Sequence, residues 1–148
     1  MPMVSPPVRH NYLAIAAAAM ASFVFEAVWY SVFLRAWLRG IGHDPAWLGR
    51  TGVSLGAQCI TALLAAALIA ICISSFTQLT GALTAVRGMK VAASLWLGCV
   101  LTTWATENVF EVRSYQLFAI NLGFWLLTMV LMGAIVGAWK KQPAANRE

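Results

Sequence analysis

Four long stretches of the chain hold almost nothing but apolar and small residues, and the polar residues collect between them. The runs are continuous, without the strict alternation of a half-buried strand or a membrane β-barrel. Each is close to the ~20 residues with which a helix crosses a 30 Å hydrocarbon core. The pattern predicts membrane-spanning helices over residues 12–34, 55–77, 88–110 and 116–139. Most connections are short, which favours antiparallel neighbours. The expected fold is an all-α integral membrane protein: four transmembrane helices in an antiparallel up-down bundle, forming one domain over residues 1–148.

Local signals sharpen the ends of these elements. Pro2, Pro6 and Pro7 mark a loose N-terminal tail, and Asn11 can cap the first helix. The first run is longer than the ~7–15 apolar residues of a signal peptide, so it reads as a retained helix. The longest connection, 35–54, contains Asp44-Pro45, an N-cap followed by proline at the first helical position. Residues 45–50 are therefore expected to form a short interfacial helix or an extension of helix two. Trp37 and Trp47 suit anchors at the membrane–water boundary.

Composition agrees with a lipid solvent. Of 148 residues, 61% are hydrophobic and 10% charged, against roughly 25% charged in a soluble domain. So small a chain cannot hide that much apolar surface inside itself. The net charge of +5 forms no stripe suited to nucleic acid; the basic residues sit at the ends of apolar runs, where anionic headgroups attract them. Cys59, Cys72 and Cys99 all lie within apolar runs and read as small hydrophobes. Of the two sides that four spans define, one holds Arg9, Arg87, Lys90, Lys140, Lys141 and Arg147, the other Arg35, Arg39, Arg50 and Arg113. Six against four favours both termini in the cytoplasm of a bacterial inner membrane.

Helices in lipid associate through close packing and polar contacts. Small residues recur at the required spacing as Ala14, Ala18 and Ser22 in helix one and as Ala62, Ala66 and Ala70 in helix two. Helix four carries a GxxxG pair, Gly133 and Gly137. Such seams serve either packing within one bundle or association of copies.

Glu26 is the only charge in helix one and lies about two-thirds along the predicted span. An ionised carboxylate there costs at least a few kcal/mol unless it is paired or neutral. The connectivity places it on the side that also receives Tyr30, Glu107, Asn108, Glu111, Arg113 and Asn121. Glu107 and Glu111 share a helix face, and Arg113 offers a guanidinium fork beside them. This polar cluster admits a structural lock on the helix ends, an ion or small-molecule pathway, or a metal or catalytic site. The third is weakened because His10 and His43, the only histidines, fall on opposite sides. Gly52-Val53-Ser54-Leu55-Gly56 matches GxSxG, but no strand precedes it and no histidine follows it. No phosphate-binding or dinucleotide fingerprint is present. No catalytic residue, metal or cofactor is expected.

Several short stretches resemble one family in order and spacing: Asn11-Tyr12-Leu13-Ala14, Trp29-Tyr30-Ser31, Trp96-Leu97-Gly98, Asn108 with Phe110-Glu111, Arg113, Asn121, and Met132-Gly133-Ala134-Ile135 with Gly137-Ala138-Trp139. From Asn11 to Trp139 the chain is similar to the bacterial family catalogued as domain of unknown function 1761, small four-helix membrane proteins. The resemblance implies a topology and a shared importance of the Asn108–Glu111–Arg113–Asn121 cluster, but no activity. Glu26 departs from the family pattern, where a small residue such as glycine is expected. The expected role is that of a non-enzymatic accessory or structural subunit, with the lipid bilayer and other membrane subunits or further copies as partners. The alternative is a small oligomeric transporter or channel using the polar cluster.

Overall fold

The structure, a computed structural model, is described over residues 10–139. The N-terminal tail with Arg9, and the C-terminal Lys140, Lys141 and Arg147, lie outside the described residues. Helix α1 (Tyr12–Gly40) begins where the Asn11 side chain accepts from the Ala14 N–H at 3.3 Å. It runs six residues past the predicted end at 34. No helix breaker intervenes, and at 1.5 Å per residue the last two turns lie beyond a 30 Å core, where Arg35 and Arg39 meet water. Gly42 then turns the chain at φ +77°. A short 3-10 helix follows over Pro45–Gly49, capped by Asp44 Oδ1 accepting from the Trp47 N–H at 2.9 Å. Arg50 closes on the same carboxylate at 3.2 Å, and His43 stacks on Trp47.

Helices α2 (Leu55–Leu79) and α5 (Tyr115–Ala138) are capped by Ser54 and Ser114. The third span is one continuous rod, Ala85–Phe110, built as α3 (Ala85–Leu95), a π-helical segment (Trp96–Leu101) and α4 (Thr102–Phe110). All four spans are long and apolar enough to cross a membrane.

α5 is the hub, packing on α1, α2 and α3, while α2 also touches α1 and α3. This gives an up-down bundle with the spans in chain order around a core of Ile15, Ala18, Ala19, Ala66, Ala70, Ile73, Ala92, Met129 and Met132. Small residues dominate that core because lipid tails compete equally for large apolar side chains; close backbone approach is what distinguishes protein from solvent. Ala66 and Ala70 are buried in it, while Ala62 is half-buried.

The closest approach joins α3 to α5. A Cβ on Gly133 would collide with the Gly88 carbonyl oxygen and meet the Ala92 Cβ at 2.8 Å; one on Gly137 would meet the Thr84 carbonyl oxygen at 2.5 Å. The GxxxG pair is thus occupied within the chain, by the N-terminal half of the third span.

Candidate functional site

Bundle geometry sorts the polar residues into three groups. The first is a buried seam between α1 and α5. Thr128 Oγ1 donates to Ser22 Oγ at 2.9 Å, Tyr30 Oη to Asn121 Oδ1 at 3.1 Å, and Trp29 Nε1 to the Ile120 carbonyl at 3.2 Å. The pairs run in opposite chain directions, as antiparallel helices require. Ser22, Thr128 and Asn121 are all buried. Around them Phe124 packs on Phe25 and Tyr30 with ring centroids 6.1 and 5.2 Å apart.

The second group is the α4–α5 turn. Arg113 pairs with Glu111, and both side chains are exposed. Asn108 is buried, and its carbonyl accepts from the Arg113 N–H at 3.1 Å. Glu107 is exposed on α4.

The third group is centred on Glu26, the fifteenth of the 29 residues of α1 and so at the middle of that helix, because α1 is longer than predicted. Nine residues, roughly 13 Å of helix, separate it from Arg35. Its half-buried side chain lines a cleft of about 470 Å³ between α1, α2 and α5. Ser22 and Glu26 come from α1. The α2 wall is Ala57, Gln58, Thr61, Ala62, Ala65 and Ala66; Phe124 and Trp125 close the α5 side, and Val53 stands at the mouth. The cleft therefore runs from the face of the 3-10 helix down to mid-span. Alanines make the room: with larger side chains on α2, the helices could approach no closer and the space would fill.

The predicted cluster is therefore divided. Tyr30 and Asn121 are brought together, as are Glu111 and Arg113. Glu26 lies one turn from Tyr30 on α1 but makes no hydrogen bond to it or to the others. α1 packs on α2 and α5, whereas α4 packs on α5, so the polar residues of α1 find hydrogen-bond partners on α5 rather than on the third span. Gln58, Thr61, Thr128 and the two cleft aromatics escaped sequence reasoning. The available signal was weak: Gln58 and Thr61 are polar residues three apart in the N-terminal half of an apolar run. Among the described residues no three His, Cys, Asp or Glu side chains gather to hold a metal ion.

Residues 13–137 match the family described as "Protein of unknown function (DUF1761)". The chain belongs to that family. No curated protein and no solved structure matches it. The DUF1761 match spans all four membrane helices, so the Glu26 cleft, the α1–α5 seam and the α3–α5 glycine contact all lie within the family's extent.

Proposed function

We propose that this DUF1761 protein is a non-enzymatic accessory subunit of a larger membrane complex, docking through its third span. The observation that carries this reading is the poor burial of that span. Only 11% of its most apolar window lies inside the protein, against 44% for α5. Its outward side is also polar for a lipid contact. Ser94, Gly98, Thr102 and Thr106 recur at four-residue intervals, all exposed, with Glu107 exposed beside them. Small and hydroxyl-bearing residues are what transmembrane helices use to meet one another. The Lys and Arg distribution supports a bacterial inner membrane with both termini in the cytoplasm.

The test is the native mass of the particle after mild detergent extraction from the source membranes. A particle containing larger foreign subunits supports the proposal; a lone 16.0 kDa chain refutes it. Gly98→Leu adds a decisive arm. A Cβ at Gly98 meets nothing within 4 Å, so the variant folds as the parent does but releases the partner. A second reading, a small oligomeric transporter, is favoured by the Glu26 cleft. A closed homo-oligomer in the same experiment would support it at the expense of the accessory role.

A further inference from the structure

We infer that the cleft at Glu26 is a binding site for a lipophilic organic monocation, such as an aryl- or alkyl-substituted ammonium or phosphonium. Four observations converge on this chemistry. The Glu26 carboxylate makes no hydrogen bond or ion pair with any described residue, although it lies within a membrane span. None of the residues lining the cleft is basic. The nearest cations on α1, Arg35 and Arg39, lie roughly two and a half and three and a half turns further on, past the cleft. A carboxylate in a low-dielectric setting demands a counter-charge or a proton, and no described residue pairs with it here.

The walls then specify the kind of cation. Half-buried Trp125 presents aromatic surface on the α5 side, backed by the buried Phe124 ring, and ring faces attract cations. The α2 wall is alanine, apolar and recessed. A bare metal ion would need several oxygen ligands, and this cleft supplies one carboxylate, two hydroxyls and an amide. Of these, Ser22 Oγ already accepts from Thr128, and the carboxylate, the Thr61 hydroxyl and the Gln58 amide oxygen that remain fall short of the roughly six to eight oxygens that a hard cation such as calcium takes. An organic cation asks for the opposite balance: one negative charge in a large apolar surround. About 470 Å³ falls within the size of pockets that hold small organic ligands. A zwitterionic lipid headgroup carries the same ammonium chemistry but would leave its phosphate without a basic partner. Val53 at the mouth connects the site to the membrane face, so a cation can reach it without crossing the whole span.

The site is independent of the docking role of the third span, because α1, α2 and α5 form it. The experiment uses the full chain in micelles of an uncharged detergent, with radiolabelled tetraphenylphosphonium followed by equilibrium dialysis. Saturable binding is expected, displaced by a hydrophobic quaternary ammonium but not by neutral triphenylphosphine oxide. Glu26→Gln should weaken binding at least tenfold, and Glu26→Asp should retain most of it. Ala62→Phe, which keeps the carboxylate and fills the cleft, should also abolish binding; with Glu26→Asp it decides the matter if Glu26→Gln fails to fold. Binding to Glu26→Gln at parental strength, equal competition by the neutral analogue, or no saturable binding would each overturn the inference. Displacement of the probe by short-chain phosphatidylethanolamine would assign the site to lipid instead and overturn it as well.

Discussion

Val112 sits in the α4–α5 turn at φ +52°, the one non-glycine residue at positive φ among those described. The left-handed region costs an L-residue roughly 1–2 kcal/mol, and a β-branched side chain is especially ill suited to it. Its side chain is 88% exposed, so little packing offsets the strain. Val112→Gly should therefore stabilise the protein by up to about 1 kcal/mol, the relief of strain exceeding the added backbone entropy of glycine. A detergent unfolding titration checks this; a lower midpoint would mean that Val112 holds a contact outside the chain. The Tyr30–Asn121 hydrogen bond gives a second prediction. Interhelical hydrogen bonds in membrane proteins average about 0.6 kcal/mol and reach about 1.7. In a double-mutant cycle, Tyr30→Phe and Asn121→Leu should couple within that range, since each leaves the other's polar atom buried and unpaired. Zero coupling would show that the pair finds water or other partners instead.

Among the elements, glycines at three places on the helices do opposite work. Gly133 and Gly88 let α5 and α3 touch backbone to backbone, whereas Gly98 faces open space. Gly133→Val should therefore unfold or grossly destabilise the bundle, because the obstruction is backbone and the Ala92 Cβ rather than the flexible end of a side chain. Gly98→Val should leave the unfolding midpoint within about 0.5 kcal/mol. Thermal unfolding of the two variants side by side tests the packing directly. The GxxxG pair was legible in the sequence because its spacing puts both glycines on one face; its partner helix was not, because small residues lie on every span. The π-helical segment was equally hidden. One extra residue per turn leaves a span as long and as apolar as before, so neither length nor hydropathy registers it. The extension of α1 to Gly40 was missed for a related reason. Hydropathy reports where lipid ends, and a helix can continue into water.

For the molecule as a whole, the sequence determined how many spans there are and which helix ends share a side of the bundle, but not which helix faces which. That gap explains the division of the predicted cluster. Connectivity orders residues by depth along the bundle, yet a bundle adds a coordinate around its axis that depends on packing. Tyr30 and Asn121 met because α1 and α5 are neighbours, while Glu26 turned instead toward the alanine wall of α2.

Orientation decides what the Glu26 cleft can sample. Its mouth at Val53 opens on the face that carries the 3-10 helix and the α4–α5 turn. In the proposed orientation the side with six basic residues lies in the cytoplasm and the side with four is translocated, which would direct the mouth away from the cytoplasm. The measurement is cysteine mapping in a chain whose Cys59, Cys72 and Cys99 are replaced by alanine. Ala46→Cys, exposed on the 3-10 helix, should react with a membrane-impermeant maleimide in intact cells. Leu83→Cys, exposed in the opposite α2–α3 turn, should react only after permeabilisation. The reverse pattern would turn the cleft toward the cytoplasm, and a cation would then reach Glu26 from inside. Equal labelling of both in intact cells would mean a mixed insertion. That outcome is natural for so small a charge difference, and adding two lysines beside Leu83 should then restore a single orientation.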